Sequence, residues 1–341
     1  MAHIATGCRS STAEIDKLTM KILVFGKDGQ LGKAFHAVFD SNNFSLANYS
    51  NIQYVGRTEC DLANERAIAS LLHQFQPDLI INASAYTAVD KAETEVDLAF
   101  AVNARAPEMM AQYAAQNGAT FLHYSTDYVF DGKKYGFYLE NDIRTPLGVY
   151  GKSKAAGEEA ITKAFAISTA KEAGQYAIFR TSWVYGDGDN FIRTILRLAK
   201  EREGLRVIED QHGVPTSAVW LAQISLDLVI DANGCLSLFP SGIYHAVPAG
   251  ETSWYGIASL VVQAAIGAGT SLKIVPASIR PIPSVEYPLP APRPMNSKMS
   301  ADKLRRIFEG RGDMSKLDLL NQPWDAAVRS YVHNLLKDGL I

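Results

Sequence analysis

The sequence predicts an α/β protein built on a doubly wound parallel sheet, with a smaller C-terminal lobe. From residue 21 to residue 180, short apolar segments alternate with amphipathic helical segments. This alternation is typical of parallel strands joined by right-handed helical crossovers. The polar motifs of the chain come directly after strands or at the start of the next helix. Sheets of this kind bind ligands beyond the carboxyl ends of their strands, so we expect these motifs to meet in one crevice.

The predicted elements follow closely on one another in the first half of the chain. Predicted strands cover 21–26, 52–55, 78–82, 120–124 and 176–180, and predicted helices cover 30–39, 65–75, 102–116 and 151–171. Beyond residue 180 the pattern is less regular. It indicates helices at 189–201, 217–230 and 323–337, a strand at 242–247 and a structured loop at 281–296 that contains six prolines.

Composition narrows the classes of function. The net charge of −3 gives no electrostatic reason to expect a nucleic-acid partner. The three cysteines are far apart and form neither a disulfide pattern nor a zinc motif, so a reducing compartment, the cytoplasm, is expected. The uncharged stretch 252–272 is long enough to cross a membrane, but it contains polar residues and three glycines. We interpret it as a mostly buried amphipathic helix and expect no membrane association.

The first nineteen residues differ from the rest of the chain. They are rich in serine and threonine and lack the apolar run of a signal peptide. We interpret residues 1–19 as a leader or a disordered extension, with Met20 as the natural start.

A glycine-rich turn follows the first predicted strand. Gly26, Gly29 and Gly32 have the spacing GxxGxxG, which suits a tight turn, close approach of a pyrophosphate and close packing of helix on strand. The start of the next helix offers N–H groups to phosphate. Glycine turns also join strands to helices without any ligand. The turn nevertheless favours a dinucleotide site, with candidate contacts at Gly26, Asp28, Gly29, Gln30, Leu31 and Gly32.

The end of the second predicted strand bears on the choice between the two nicotinamide cofactors. An acid there usually holds the ribose 2′-hydroxyl of NAD, whereas this chain has Gly56-Arg57-Thr58. Arg57 suits a 2′-phosphate and no acid competes at that point, which favours NADPH, with NADH as the alternative. Arg57 as a solvated surface residue is the other interpretation. Asp61 and Leu62 are candidate adenine contacts.

A second motif pairs Tyr150 with Lys154 at the start of a predicted helix. Residues four apart share one helical face, so the lysine charge should lower the tyrosine pKa toward working pH. Tyr150 could then give a proton to a carbonyl oxygen as hydride reaches its carbon. Thr126 follows the fourth predicted strand and could hold that carbonyl by a hydrogen bond. The alternatives are a surface tyrosine packed along a lysine stem and a locally capped strand end.

Together the three motifs resemble those of the extended short-chain dehydrogenase/reductases. Segments 82–93, 180–185, 210–216 and 293–297 further resemble the dTDP-4-dehydrorhamnose reductase family, and the resemblance extends from about residue 20 to the C-terminus. It implies NAD(P)H-dependent reduction of the C4 keto group of dTDP-4-dehydro-L-rhamnose to dTDP-L-rhamnose. Tyr150 would supply the proton, Lys154 would tune it and bind ribose, and Thr126 would replace the usual serine.

The resemblance also assigns further site residues. Additional cofactor contacts are Ala83, Ala85, Tyr86 and Asn103, and substrate contacts are Val89, Thr126, Asp127, Tyr128, Trp183, Gln211 and Arg293. Gln211 and Arg293 would serve the diphosphate, and Trp183 would lie against the sugar unless it is plain core. Residues 20–180 would form the Rossmann-like NAD(P)-binding core. Residues 181–341 would be mainly a substrate-binding lobe, with some segments returning to the core.

Some proteins of this family form homodimers with bound Mg²⁺. The sequence gives no basis for assigning Mg²⁺ ligands, so we predict no metal site. It does not decide whether the chain forms a homodimer. The base and the sugar rest on the resemblance alone, so uridine or guanosine diphosphate sugars stay open too.

Three rival functions share the fold. A nucleotide-sugar epimerase would recycle its hydride. A dehydratase would need Asp-Glu after Thr126, where this chain has Asp127-Tyr128. A non-catalytic protein like the regulatory subunit of methionine adenosyltransferase would not need Thr126, Tyr150 and Lys154.

Overall fold

A computed structural model of the protein describes residues 20–41, 51–170 and 174–340. Its strands are β1 (Lys21–Phe25), β2 (Asn51–Val55), β3 (Leu79–Asn82), β4 (Thr120–Thr126), β5 (Gln175–Thr181), β6 (Val184–Tyr185), β7 (Leu205–Ile208), β8 (His212–Gly213), β9 (Thr216–Ser217), β10 (Gly242–His245), β11 (Thr252–Ser253) and β12 (Ile279–Ile282). The leader interpretation of residues 1–19 falls outside the described residues.

The helices alternate with the strands in the first half of the chain and dominate its end. They are α1 (Gln30–Asp40), α2 (Glu65–Phe75), α3 (Val89–Ala92), α4 (Val96–Phe100), α5 (Ala106–Asn117), α6 (Val149–Ala166), α7 (Phe191–Glu201), α8 (Ala218–Val229), α9 (Trp254–Gly267), α10 (Asp302–Arg311), α11 (Met314–Leu320) and α12 (Trp324–Lys337). Short 3₁₀ turns cover Asp127–Val129, Pro276–Ser278 and Ser284–Glu286.

A parallel six-stranded sheet forms the centre of the molecule, in the order β10-β5-β4-β3-β1-β2. The prediction of a doubly wound parallel sheet is therefore confirmed. The inner strands are buried along their whole length, as expected for strands covered by helices on both faces. The order reverses between β1 and β3, which is where such sheets bind their ligands.

Helices cover both faces of this sheet. One face packs against α1, α8, α10 and α11 through residues such as Phe35, Leu221 and Phe308. The other packs against α2, α5 and α6 through residues such as Met110 and Ile161. Segments from beyond residue 181 therefore belong to the sheet layer, namely β10, α8, α10 and α11.

A separate apolar core holds α7, α9 and α12 against the paired strands β7 and β12. The buried helix predicted within 252–272 is α9, whose Ile257, Val261 and Val262 are fully covered or nearly so. Within the described residues, no helix combines the length and the apolar character needed to cross a bilayer.

One predicted helix differs in form. In place of a single helix over 102–116, α3 and α4 come first, and a π-helical turn at Ala101–Arg105 leads into α5. Pro107 stands in the first turn of α5 and has no N–H to donate to a preceding carbonyl, so the regular hydrogen-bond ladder is interrupted there.

Candidate active site

The carboxyl ends of β1, β3, β4 and β5 open into a cleft of about 580 Å³. Most of the predicted site residues line it: Gly26, Asp28, Gly29, Gln30, Leu31, Arg57, Ala83, Ala85, Val89, Thr126, Asp127, Tyr128, Tyr150, Lys154 and Trp183. The expectation that the motifs meet in one crevice is thus met by the geometry.

The glycine turn has the form that a dinucleotide needs. Gly26 has φ +89°, and a Cβ there would lie 2.7 Å from the Ser84 hydroxyl. A Cβ on Gly32 would lie 2.0 Å from the Gly26 carbonyl oxygen, so only glycine lets α1 pack this closely on the turn. The N-terminus of α1 has no side-chain cap, which leaves its first N–H groups directed at the cleft. These features fit a bound pyrophosphate.

Two carboxylates lie beside the end of β2, contrary to the sequence prediction that no acid competes there. Glu59 accepts a hydrogen bond from the Gly56 amide at 2.9 Å, and the Asp28 carboxylate packs against the Cα of Gly56. An ion pair with Lys27 and the Gly56 bond lower the pKa of Glu59 to about 2. Glu59 directly follows the tripeptide 56–58 in the chain, whereas the fold brings Asp28 to Gly56 from the glycine turn.

A second cavity of about 310 Å³ adjoins the cleft at Arg57 and Ala85. The predicted residues Asp61, Leu62 and Tyr86 line it, together with apolar side chains from β1, β2 and the α4 region. Arg57 is exposed at the junction of the two cavities, and within the described part of the chain it forms no ion pair. This arrangement has the size and apolar walls that suit an adenine ring.

Tyr150 and Thr126 border the cleft together. Burial, with a smaller contribution from the Asp127 charge, raises the pKa of Tyr150 to about 12, against the effect of the neighbouring Thr126 hydroxyl, which lowers it. The lowered pKa expected from Lys154 is not found. The reason is that the ammonium group points away, donating to the Tyr124 carbonyl oxygen and contacting His123 Nε2 at 3.2 Å.

Lys154 itself is almost completely buried. Burial lowers its pKa to about 8, while the charge of Glu158, one turn further along α6, raises it. The lysine can therefore change protonation state near neutral pH, which a solvent-exposed lysine cannot do.

Asn103 does not line the cleft. Its amide accepts from Tyr86 N–H at 2.8 Å and donates to the Tyr86 carbonyl oxygen and to Ser153 Oγ, each at 3.0 Å. These bonds tie the loop after β3 to α6, the helix that carries Tyr150. Asn103 therefore supports the site by joining these two segments, and its direct contact with the cofactor stays a prediction.

Asp127 is buried beneath the cleft floor and already has two hydroxyl partners. Thr126 Oγ1 donates to its carboxylate at 2.9 Å, and the Ser297 hydroxyl donates to the other oxygen. Burial raises the pKa of Asp127 to about 6 against the effect of these bonds. The carboxylate therefore orients the hydroxyl of Thr126 as well as bordering the predicted substrate position.

Trp183 stacks on Trp254, with ring centroids 4.1 Å apart, and both rings border the cleft. The backbone of Trp183 has φ +48°, a conformation that costs free energy for a bulky residue and that concentrates at functional sites. Trp254 Nε1 donates to Gln211 Oε1 at 3.2 Å. Trp183 is thus a cleft wall as well as part of the lobe core.

A third cavity of about 910 Å³ extends from Tyr128 and Trp254 along the lobe, and both Gln211 and Arg293 line it. The guanidinium of Arg293 is not free to bind an anion as it stands. It forms two bonds to Asp90, at 2.7 and 3.0 Å, and these bonds lower the pKa of that carboxyl group. The pair fastens the proline-rich loop to the segment after β3.

Sequence reasoning missed several cleft residues. Ser125 and Thr181 lie on β4 and β5, and their buried hydroxyls have no hydrogen-bond partner. The strand-end rule that found Thr126 could have found Thr181, its direct register partner on β5. Trp254 gave no local signal, because it lies at the start of a helix that only tertiary packing brings to the cleft.

Comparison with known proteins matches residues 20–334 to the family model described as the RmlD substrate binding domain. The chain belongs to this family. Among relatives, it is 41% identical over 291 residues to the dTDP-4-dehydrorhamnose reductase of Escherichia coli (strain K12), covering 85% of this chain and 92% of that protein. The family predicted from the sequence motifs is therefore confirmed.

Solved structures of RmlD-family proteins share the whole fold. A dTDP-4-dehydrorhamnose reductase from Clostridium acetobutylicum ATCC 824 superposes with a TM-score of 0.77 at 31% identity, covering 93% of this chain and 100% of that one. The Bacillus anthracis str. Ames enzyme of that name, in complex with NADP, has a TM-score of 0.75 at 28% identity, covering 92% and 99%. The sequence-derived fold class holds across these proteins.

Proposed function

We propose that this chain reduces the C4 keto group of dTDP-4-dehydro-L-rhamnose to dTDP-L-rhamnose with a reduced nicotinamide dinucleotide. The observation that carries the proposal is that Thr126, Tyr150 and Lys154 line one cleft with the glycine turn. Relatives of this chain are named for that reaction. The match to an NADP complex supports the cofactor class.

The bound dinucleotide supplies the hydride. On substrate binding the Thr126 hydroxyl would turn its hydrogen from Asp127 to the keto oxygen. The oxygen would then lie between the Thr126 and Tyr150 hydroxyl groups, which directs the carbonyl carbon toward the nicotinamide side of the cleft. Tyr150 would give its proton to that oxygen as charge develops there. Its pKa of about 12 keeps the phenol protonated until then, which suits a proton donor. The unpartnered hydroxyls of Ser125 and Thr181 are placed to receive polar groups of the cofactor or the sugar.

For the cofactor, we propose a preference for NADPH with NADH still accepted. Arg57 attracts a 2′-phosphate, while the carboxylates of Glu59 and Asp28 repel it and suit a 2′-hydroxyl. Opposed charges at one position predict a moderate preference. Arg57→Gln should lower kcat/KM with NADPH and leave kcat/KM with NADH nearly unchanged, whereas Glu59→Gln should shift the ratio toward NADPH. Equal losses with both cofactors in Arg57→Gln would show that Arg57 does not read the 2′-phosphate.

For the substrate, we propose that the sugar lies against Trp183 and Val89 and that the nucleotide extends into the third cavity. Gln211 lines that cavity and is held by Trp254, so it can meet the diphosphate without losing its fixed position. Arg293 would have to share its guanidinium between Asp90 and a phosphate. It has the donors to do so, since a guanidinium carries five N–H groups.

The test supplies the full chain with dTDP-4-dehydro-L-rhamnose and NADPH or NADH and follows the absorbance of the reduced cofactor. One cofactor oxidised per sugar reduced supports the proposal. Sugar conversion without net cofactor consumption would indicate an epimerase. No turnover together with stoichiometric capture of a methionine adenosyltransferase would indicate the regulatory-subunit alternative.

Tyr150→Phe isolates the proton donor. It should bind NADPH normally and lose at least about 100-fold in kcat, because general acid catalysis is typically worth that much. Tyr135→Phe is the matched control, since Tyr135 is fully exposed and should keep wild-type turnover. Wild-type kcat in Tyr150→Phe would remove Tyr150 as the acid.

The homodimer and the cytoplasmic location stay predictions from the sequence. Sedimentation of the purified chain tests the first. Fractionation of the source cells tests the second.

A further inference from the structure

A buried histidine lies directly behind Lys154, and none of the catalytic motifs includes it. His123 is fully buried on β4, with Nε2 3.2 Å from Lys154 Nζ and Nδ1 3.1 Å from Asn82 Nδ2. Burial and the Lys154 charge lower the pKa of His123 far below its usual range, so its ring is neutral and carries one N–H.

The partners of Asn82 decide which ring nitrogen carries that hydrogen. The Ser84 amide donates to Asn82 Oδ1 at 3.2 Å, which orients the side-chain amide so that Nδ2 faces the histidine. Asn82 Nδ2 can only donate, so His123 Nδ1 must accept. The hydrogen of the neutral ring is therefore on Nε2 and points at Lys154.

An N–H directed at Lys154 has a consequence for the lysine. An ammonium group has three donors and no lone pair, so it cannot accept from Nε2–H, whereas a neutral amine can. We propose that His123 is a positioning residue for the proposed reduction, because its Nε2–H stabilises the neutral amine of Lys154 and opposes the ammonium form. The effect of His123 on the protonation of Lys154 is independent of the proposed function, and only the role of His123 in turnover rests on that function.

Other charged groups near Lys154 act in the opposite direction or elsewhere. Glu158, on the same helix, favours the ammonium, although it is itself paired with Arg180 of β5. Tyr150 lies on the same helical face as Lys154, and the Asp127 charge, from the turn after β4, raises the pKa of Tyr150. The residue of β3 that faces this group is Asn82, which carries no charge. His123 is thus the group on the sheet side that favours loss of the Lys154 proton.

Loss of that proton is what each turnover requires. After Tyr150 has protonated the keto oxygen, it is left as a phenolate. Because the Lys154 ammonium contacts His123 and the Tyr124 carbonyl and not Tyr150, its proton would reach the phenolate through a water molecule in the cleft. An N–H bond of the lysine breaks and an O–H bond of the water forms, the water gives another proton to the phenolate oxygen, and the nitrogen keeps the electron pair. That lone pair then accepts the His123 N–H. Solvent protons restore the ammonium in the next cycle.

The direct test measures the titration of Lys154 without any turnover. The protein is labelled with [¹³Cε]lysine, the Lys154 signal is assigned by its absence in Lys154→Arg, and its shift is followed against pH. The wild-type midpoint should lie near 8. In His123→Gln the amide oxygen can accept from the ammonium, so the acid dissociation constant of Lys154 should fall by about tenfold or more, a charge-assisted hydrogen bond being gained.

Two further variants keep the test decisive if His123→Gln folds poorly. Asn82→Ala removes the donor that fixes the tautomer, so His123 can place its hydrogen on Nδ1, and Lys154 should again titrate at higher pH. His245→Gln is the matched control, a fully buried histidine that contacts Arg180 at 3.4 Å, and it should leave the Lys154 midpoint in place.

The outcomes separate the inference from the proposed function. A raised midpoint in both His123→Gln and Asn82→Ala, with the pH profile of kcat moving in parallel, supports the inference. If the Lys154 titration midpoint rises in the variants but the wild-type protein has no reductase activity, the effect of His123 is supported and the proposed reaction is contradicted. A Lys154 midpoint that stays in place in both variants would overturn the inference.

Discussion

Glu158→Gln should cause a large loss of stability. Glu158 and Arg180 are buried to within 1% of complete coverage and share two hydrogen bonds, at 2.8 and 2.7 Å. Arg144 adds a third bond at 3.3 Å. The substitution leaves a buried guanidinium without its counter-charge, which costs about 3–5 kcal/mol. That is a large share of a total stability of about 5–15 kcal/mol.

The same substitution should also act on catalysis. The charge of Glu158 raises the pKa of Lys154, so its removal should lower that pKa and shift the lysine further toward the neutral amine. The pH profile of kcat should therefore move to lower pH, in the direction opposite to the His123→Gln effect. This second readout distinguishes loss of the charge from general destabilisation.

Urea unfolding at neutral pH, monitored by tryptophan fluorescence, measures the predicted loss. Glu159→Gln is the matched control, because Glu159 is the adjacent residue on α6 and is exposed, so its substitution should change stability by less than about 0.5 kcal/mol. The double variant Glu158→Leu/Arg180→Met should recover much of the loss, since it leaves no fully buried charge unpaired, and Arg144, the other partner of Glu158, is partly exposed to solvent. A loss in Glu158→Gln no larger than in Glu159→Gln would refute the reasoning.

Three further predictions concern the cleft. Gly32→Ala should lose about 1–3 kcal/mol of stability, because the new methyl group would overlap the Gly26 carbonyl, and it should bind NADPH more weakly in a cofactor-fluorescence titration. In the control Gly29→Ala, the nearest atom beyond the adjacent residues is 3.4 Å from the new methyl group, so this variant should stay near wild-type stability. Burial raises the pKa of Asp127 from near 4 to about 6, so the folded state binds this proton more tightly than the unfolded state does. As pH rises from 4 to 6, the free energy of unfolding of the wild-type protein should therefore fall by up to about 3 kcal/mol relative to that of Asp127→Asn. Parallel curves of unfolding free energy against pH for the two proteins would contradict this. Arg293→Lys should raise KM for the nucleotide sugar about tenfold with little change in kcat, since the single ammonium group of a lysine cannot form two parallel hydrogen bonds to a carboxylate or a phosphate. An unchanged KM would show that the Arg293 side chain serves only the contact with Asp90 that holds the proline-rich loop.

The sequence could predict the sheet because its signals are local. Apolar runs bounded by Gly or Pro located β1, β3, β4 and β5 to within two residues, and the helix over 65–75 has the predicted bounds. The two-residue strands β6, β8, β9 and β11, the four-residue strands β7 and β12, and the helices α10 and α11 were missed. Strands of two residues have no periodicity to detect, and α10 is highly charged, with its apolar face reduced to Leu304 and Phe308.

The cleft was predictable where a residue type and its distance along the chain were enough. Tyr150, Lys154 and Thr126 line one cleft as predicted, because helix spacing and strand register fix their backbone positions, but the Lys154 ammonium does not lie beside the Tyr150 hydroxyl. The pKa of Tyr150 was not predictable, since it depends on burial and on where Lys154 points. The partners of Arg293 were equally out of reach, because Asp90 is two hundred residues away along the chain.

The face of α6 explains why the Tyr-Lys motif works here when its spacing alone is common. Tyr150, Lys154 and Glu158 stand on successive turns of one face, and the sheet places a different partner opposite each of them. These partners are Thr126, His123 and Arg180, and all three come from the neighbouring strands β4 and β5. His123 and Thr126 are three residues apart, so their side chains leave β4 on opposite faces: His123 lies under α6, and Thr126 reaches the cleft from the end of the strand. The chemistry of the motif is therefore set by what β4 and β5 place around α6 as much as by the two residues that name it.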